Sequence, residues 1–414
     1  MTRRVIVSGV GMITPVGNTA EETWSALISG RSGVGRITKF DASDFSTRFA
    51  AEIKDFKPEN YLEKKDIRRM DLFLQYAIAA SVMAVQDAGI KTEGIESERF
   101  GVIIGSGIGG ISTIEEQHMK LIHGGPGKIS PFFVPMMISN IASGQVSMRF
   151  GAKGPNYSTV SACASGSHAI GDAFRWIKYG DADVIIAGGA EAAITPMSVG
   201  GFCSMRALSQ RNDEPERASR PFDRMRDGFV LGEGAGIVVL EELNHALQRG
   251  ARILGEVVGY GMTADAYHIT APAPEGEGAV RAMMLSLKEG NVAPEDVDYI
   301  NAHGTSTELN DKFETAAVKR VFKSHAKNLM ISSSKSMTGH LLGAAGGIEF
   351  GITLLAIVNR CVPPTINYEY PDPECDLDYV PNAARTADIG YAISNSFGFG
   401  GQNACLVLKN YAPD

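Results

Sequence analysis

The sequence predicts an α/β protein built on a layered, partly parallel sheet, and three observations lead there. Apolar runs of strand length alternate with longer stretches of helical period along the chain. The 47 glycines among 414 residues exceed the usual share of about 7%, and they gather at the ends of apolar runs, where tight strand-to-helix junctions need them. The rhythm of elements then starts again near Arg249 to Arg252, so the chain reads as two halves of similar order, 1–250 and 251–414. No residue-level repeat accompanies that order. With 44% apolar residues, a chain of this length can bury a large core.

The first half opens with a strand at 4–9 (RVIVSG). The basic-then-apolar start resembles a leader only briefly, because Gly and Pro break the run and no small-residue cleavage site follows. A helical pattern covers 68–88, and strands are expected at 101–105, 157–160, 183–188 and 236–241. In the second half strands are expected at 253–261, 298–301, 329–333, 390–395 and 404–408, with helices at 278–289 and 340–359. Residues 343–358 are the most apolar stretch, but Glu349 interrupts them and they fall short of a membrane span of about 18 uncharged residues. They read as a buried core helix. The arginine-rich connection 206–228 is too long for an ordinary loop and is expected to be functional or buried at an interface.

A formal charge of −8 argues against a nucleic-acid surface, which needs a basic field. Five cysteines (163, 203, 361, 375 and 405) with no C-x-x-C pair suggest neither a disulfide framework nor a cysteine zinc site, which fits a reducing cytoplasm. Residues 105–110 (GSGIGG) satisfy the dinucleotide fingerprint, yet the acidic residue expected about 20 positions later is missing. These glycines, with Gly9, Gly11 and Gly17, are expected to permit close packing instead.

The chemistry centres on 159–169 (TVSACASGSHA). Cys163 sits where a strand turns into a helix, and the unpaired N–H groups and dipole of a helix start favour a thiolate. Taken alone, Cys163 reads equally well as a packing cysteine. His303 follows a strand in YINAHGTST, where an extended continuation would put His303, Thr305 and Thr307 on one face; the plain alternative is a core histidine beside turn-forming threonines. His340 lies in SSSKSMTGHLLGAAGG at a second strand-to-helix junction, with a helix expected from about Thr338. Lys335 in the same loop is expected to be buried near the histidines. No metal-ligand spacing joins these residues. The turn 395–403 (NSFGFGGQN) is rich in small residues and suited to offering an N–H to an oxyanion.

TVSACASGSHA, NAHGTST, KSMTGH and NSFGFGG, in this order and with GVGMITPVGNT at the start, resemble the β-ketoacyl-[acyl-carrier-protein] synthases, specifically the type II condensing enzymes of bacterial fatty-acid synthesis. The resemblance covers essentially the whole chain. It implies the thiolase-like fold, two duplicated halves in a five-layered α-β-α-β-α core, a homodimer, no cofactor, and acyl carrier protein as partner. On this resemblance Cys163 carries the acyl group, while His303 and His340 assist decarboxylation of malonyl-carrier protein and stabilise the enolate. Cys163 and Phe399 match the oxyanion hole, and Phe399 matches a gate. Lys335 and Glu314 match a supporting pair, and Thr305 and Thr307 match contacts to pantetheine. Gln402 departs from the threonine of many relatives.

The resemblance further places Ile108, Phe133 and Phe202 along the acyl tunnel, and a monovalent cation at Asn301, Ala302, Glu349, Ser394 and Asn395. On an expected helix 61–71, Lys65, Arg68 and Arg69 share one face, suited to an acidic carrier protein with Arg206 contributing; a merely solvated face is the plain alternative. Rival readings are the type I synthases, a polyketide ketosynthase, a thiolase, and a non-catalytic chain-length partner. A thiolase needs a second cysteine near the end, which NSFGFGGQN lacks, and the non-catalytic partner lacks the active cysteine.

Overall fold

The computed structural model describes residues 3–91 and 94–412. Its main sheet has 10 strands: β1 (Val5–Ile13), β2 (Phe100–Gly105), β3 (Asn156–Tyr157), β4 (Val184–Glu191), β5 (Gly234–Glu242), β6 (Gly255–Ala264), β7 (Tyr299–Asn301), β8 (Met330–Ser332), β9 (Tyr391–Gly398) and β10 (Gln402–Lys409). The first five run in the order β1-β5-β4-β2-β3 and the last five in the order β6-β10-β9-β7-β8. Both wings therefore repeat one topology. In each, the first two pairings are antiparallel and the last two parallel. The wings join where β1 meets β6, from Val5 opposite Val257 to Val7 opposite Gly255.

Six helices occupy matching places in the two wings. In the first they are α1 (Leu72–Asp87), α2 (Ile141–Phe150) and α3 (Ser165–Tyr179); in the second they are α4 (Glu277–Gly290), α5 (Glu308–Phe322) and α6 (Ala345–Asn359). Three apolar clusters follow. One joins α1 to one face of the first wing, and one joins α4 and α5 to one face of the second. The third gathers α3 and α6 against the facing sides of both wings. Helices and strands thus alternate in five layers, with α3 and α6 in the middle.

Local chemistry sets the boundaries. The expected helix 68–88 starts at Leu72 because Asp71 is its N-cap, accepting the Phe73 N–H. The segment expected as helix 61–71 holds only a four-residue helix, Lys64–Ile67, since the chain must leave helical geometry to let Asp71 cap. The expected strand 157–160 is confined to Asn156–Tyr157, and Val160 is exposed. Leu342–Asn359 is long and apolar enough by composition to cross a membrane, but it is buried inside the fold as a core segment.

Glycines set the distance between layers. A Cβ on Gly9 or Gly11 would lie 2.2 or 2.1 Å from the carbonyl oxygens of Ala84 and Ala80, so β1 packs directly on α1. At the centre, a Cβ on Gly166 of α3 would lie 2.7 Å from the Gly347 nitrogen of α6, and one on Gly347 would lie 2.2 Å from the Gly236 oxygen. Each neighbour is backbone and cannot swing away. Gly347→Ala is therefore expected to destabilise the fold by about 1–3 kcal/mol, whereas Gly144→Ala in α2, with nothing within 4 Å of its Cβ position, should be neutral or stabilising by about 0.4–1 kcal/mol. Denaturant unfolding of the two variants checks this; equal effects would refute it.

Candidate active site

Cys163 lies in a single 3₁₀ turn, Ala162–Ala164, that runs straight into α3. Ala162 holds the left-handed φ of 49°, an uncommon conformation for a residue with a side chain, and Ser165 stabilises it by donating from Oγ to the Ala162 carbonyl at 2.7 Å. The second wing repeats the device before α6, with Leu342 at φ 48° opening the turn Leu342–Ala344. There Gly343 stands where Cys163 stands in the first wing. One wing carries the nucleophile and the other its backbone counterpart.

The thiol is 6% exposed, and Phe399 donates its backbone N–H toward it. Burial pushes the thiol up to about 11, while the Phe399 N–H and the Lys335 charge pull the other way. The thiolate expected from the helix start is overturned in the free protein. A turn that removes water from the sulfur costs the anion more than the helix start returns.

His303, His340 and Cys163 come together from three loops, each residue offering a donor atom within 4.8 Å of the others. The imidazole rings meet edge to face, 5.3 Å between centroids, and Phe397 and Phe229 close them in at 5.7 and 5.4 Å. The expected extended run through Thr307 is replaced by a kinked one, with φ 36° at Gly304 and 67° at Ser306. The kinks still bring Thr305 and Thr307 together, their hydroxyls 2.9 Å apart. His340 is not at a helix start. The short helix Lys335–Thr338 ends at Gly339, and His340 then bridges the first wing, donating its N–H to the Val230 carbonyl at 2.7 Å. Burial, with Lys335 nearby, holds both imidazoles well below their ordinary pKa, so both are neutral.

Lys335 is buried as expected, but its ion pair is with Glu349 of α6 at 2.5 Å rather than with Glu314. Glu314 is engaged elsewhere: its carboxylate accepts the backbone N–H groups of His303 and Gly304, both at 2.8 Å, and so holds the histidine loop. Burial raises Glu349 to about 7 against the pull of Lys335. Beside it, Asn301 Oδ1, Glu349 Oε2, Ser394 Oγ and Asn395 Oδ1 are buried oxygens with no hydrogen-bond partner among the described residues, and Ala302 is equally buried. Ser394 and Asn301 face each other across paired strands, and buried unpartnered oxygens are the type of donor that a hard monovalent cation takes.

Cys163, His303 and His340 open on a cavity of about 440 Å³. Ile108, Phe202, Phe229 and Leu342 line it beside Cys163, while Thr305, Thr307 and Asn310 supply polar groups. Phe133 is absent from this wall. It sits half-buried on the outer helix Phe133–Met137, between the exposed Phe132 and Val134. The connection 206–228 does serve the cavity, through Arg206 and the segment from Arg226 to Gly228. Arg226, unnoticed as a site residue in the sequence, donates to the Thr307 and Glu308 carbonyls at 3.2 and 3.0 Å and to Asp372 at 2.6 Å, bracing the threonine wall. The expected basic helix face is broken up by the four-residue helix. Lys65 pairs with Glu63 at 2.8 Å, Arg69 stacks on Phe132 at 4.7 Å, and Arg68 caps the helix and is exposed.

Residues 2–246 match the model of the β-ketoacyl synthase N-terminal domain, and residues 254–369 that of the β-ketoacyl synthase C-terminal domain. The chain is 56% identical over 409 residues to a 3-oxoacyl-[acyl-carrier-protein] synthase 2 of Synechocystis, covering 99% of this chain and 98% of that protein. It is 54% identical over 407 residues to its counterpart in Coxiella burnetii, covering 98% of each. Among solved structures, a β-ketoacyl synthase from Burkholderia phymatum superposes with a TM-score of 0.93 at 38% identity, covering 99% of this chain and 100% of that one. A polyketide ketosynthase solved with its acyl-carrier protein superposes with a TM-score of 0.93 at 36% identity, covering 100% of both. These solved structures have the thiolase-like fold.

Because the free thiol is held up by burial, alkylation of Cys163 by iodoacetamide should accelerate continuously from about pH 6 to about pH 10 without levelling. Peptide mapping at each pH follows it, and a plateau below about pH 8 would show a stabilised thiolate instead.

Proposed function

The chain belongs to the β-ketoacyl synthase family, and from that premise we propose how its residues divide the work. The activity is 3-oxoacyl-[acyl-carrier-protein] synthesis: an acyl group is condensed with malonyl-carrier protein, carbon dioxide is lost, and the fatty acid grows by two carbons. Acyl carrier protein is the partner that delivers both groups. The observation carrying the assignment of roles is the convergence of Cys163, His303 and His340 in one buried cavity.

Cys163 attacks the acyl thioester. Its proton passes to the departing pantetheine sulfur, and the neutral histidines are free to hold it in transit. The tetrahedral oxyanion is met by the N–H groups of Cys163 and Phe399, which approach because Gly398 has no side chain: a Cβ there would lie 3.2 Å from the Cys163 nitrogen. Malonyl-carrier protein then enters with pantetheine along Thr305 and Thr307. Loss of its carboxylate as carbon dioxide leaves an enolate whose oxygen is stabilised by N–H groups of His303 and His340. The enolate carbon attacks the acyl-enzyme, the new carbon–carbon bond forms, and Cys163 leaves as thiolate and takes up one proton. Neutral imidazoles suit this step, since each retains one N–H to donate. Lys335 with Glu349, and Glu314 through the His303 backbone, act as positioning residues. A monovalent cation on Asn301, Ala302, Glu349, Ser394 and Asn395 would balance the Glu349 charge behind this pair.

The half 1–250 contributes the nucleophile and the half 251–414 the two histidines. Phe399 at the hairpin tip serves as the gate. Ile108 and Phe202 hold the acyl chain, and Arg206 at the cavity mouth, with Arg68, meets the acidic carrier protein. We place the enzyme in the cytoplasm, in keeping with its free cysteines. The working unit is a homodimer built on the free edge of β3, beside which Met148 of α2 and Val160 leave apolar side chains exposed.

Mixing the protein with acyl-carrier protein should add one acyl group to Cys163, seen by intact mass and peptide mapping, and malonyl-carrier protein should discharge it. No adduct from a competent donor would overturn the assignment. His303→Ala and His340→Ala should still be acylated but lose malonyl decarboxylation by at least about a hundredfold. In light scattering after gel filtration, the wild type should run as a dimer and Met148→Asp with Val160→Asp as a monomer; a monomeric wild type would refute the interface.

A further inference from the structure

The glycine-rich loop 105–110 has the sequence of a phosphate cradle, and the structure shows what it holds. Glu191, the last residue of β4, is fully buried and turns its carboxylate into this loop. Oε2 accepts the Gly107 N–H at 2.7 Å, and Oε1 accepts the Ser106 hydroxyl at 2.9 Å and the N–H groups of Ile108 and Gly109 at 3.2 and 3.3 Å. A further donor comes from the other wing, since the Gly343 N–H reaches Oε2 at 3.0 Å. One internal carboxylate thus fills an anion nest and ties it to the turn that mirrors the Cys163 turn. The glycines are required for contact as well. A Cβ on Gly107 would lie 2.9 Å from Oε2, and one on Gly343 would lie 2.6 Å from the same atom.

The two segments joined in this way both face the cavity. Gly107 and Ile108 line it on one side, and Leu342, next to Gly343, lines it on another, with Phe202 and Phe229 completing the apolar lining beside Cys163. The Cys163 turn and the Gly343 turn pack on each other. Ile108 has no buried socket of its own, being 36% exposed, so its place depends on its backbone. That backbone is held by Glu191.

We propose that Glu191 is a positioning residue for acyl-chain acceptance: its carboxylate pins the Ile108 loop to the Gly343 turn and so sets the shape of the apolar part of the cavity. The need is for a carboxylate in particular. Both oxygens act only as acceptors toward backbone N–H groups, two on each side, so either orientation of an amide would turn its own NH₂ against two donors. Glu191→Gln therefore keeps the size of the side chain while breaking the nest. A short acyl group that stays near Cys163 feels little of this. A long one, which must lie along Ile108, feels all of it.

The inference rests on acylation of Cys163, and the test separates the two. Acylation of wild type and Glu191→Gln is timed by intact mass with acetyl-carrier and dodecanoyl-carrier protein, and thermal unfolding is recorded for both. The dodecanoyl rate should fall about tenfold relative to the acetyl rate in the variant. A loss that is equal for both chains, with or without a lower unfolding temperature, would leave Glu191 with a purely structural part and overturn the proposal. If Glu191→Gln does not fold, Ser106→Ala, which removes a single donor, should shift the same ratio about threefold; an unchanged ratio overturns the proposal there too. Failure of the wild type to acylate with either donor would sink the assignment of Cys163 instead.

Discussion

The close approach of α3 and α6 is the constraint on which the rest depends. Two helices can meet backbone to backbone only where neither carries side chains, and here Gly166, Gly346 and Gly347 provide that contact while Gly189 and Gly236, paired on neighbouring strands of the first wing, let that sheet press against it. The contact brings the start of each helix to the other. As a result the turn bearing Cys163 and the turn bearing Gly343 share one small volume, into which loops from both wings can reach.

The electrostatics follow from that enclosure. Water is excluded from Cys163, His303 and His340, so each settles into its neutral form: a thiol raised to about 11 and two imidazoles held well below their usual range. The titratable acids and the lysine stand one layer back: Glu349 beside Lys335, Glu314 on the His303 loop and Glu191 on the Ile108 loop. Each carboxylate is consumed by backbone N–H groups or by the lysine. A site prepared in this way stores little charge of its own and presents dipoles where negative charge develops during reaction.

The repeated topology also explains an asymmetry. Both wings build a strained turn before a core helix, with Ala162 and Leu342 in the same left-handed conformation. In the first wing the next residue is a cysteine facing the cavity. In the second it is a glycine whose N–H serves Glu191. Duplication supplied two equivalent places, and packing density left room for a side chain at only one.

The sequence by itself determined the alternation of strands and helices, the restart near residue 250 and the largely buried nature of 343–358, and it singled out Cys163, His303, His340 and the Phe399 turn as candidates. These are written in local periodicity and in short motifs, which need no knowledge of distant partners. Tertiary structure alone decided which acid meets Lys335, that Phe133 stands off the cavity wall, that the basic segment 61–71 is no single helix, and that the thiol is protonated. It also decided that GSGIGG holds Glu191. Most of these depend on residues far apart in the chain: Glu314 is engaged by the His303 and Gly304 backbone while Lys335 pairs with Glu349, whereas the break at 61–71 comes from Asp71 capping the next helix close by. The strand expected over 183–188 stops short of Glu191, and the sequence held no sign of the five donors that this carboxylate finds.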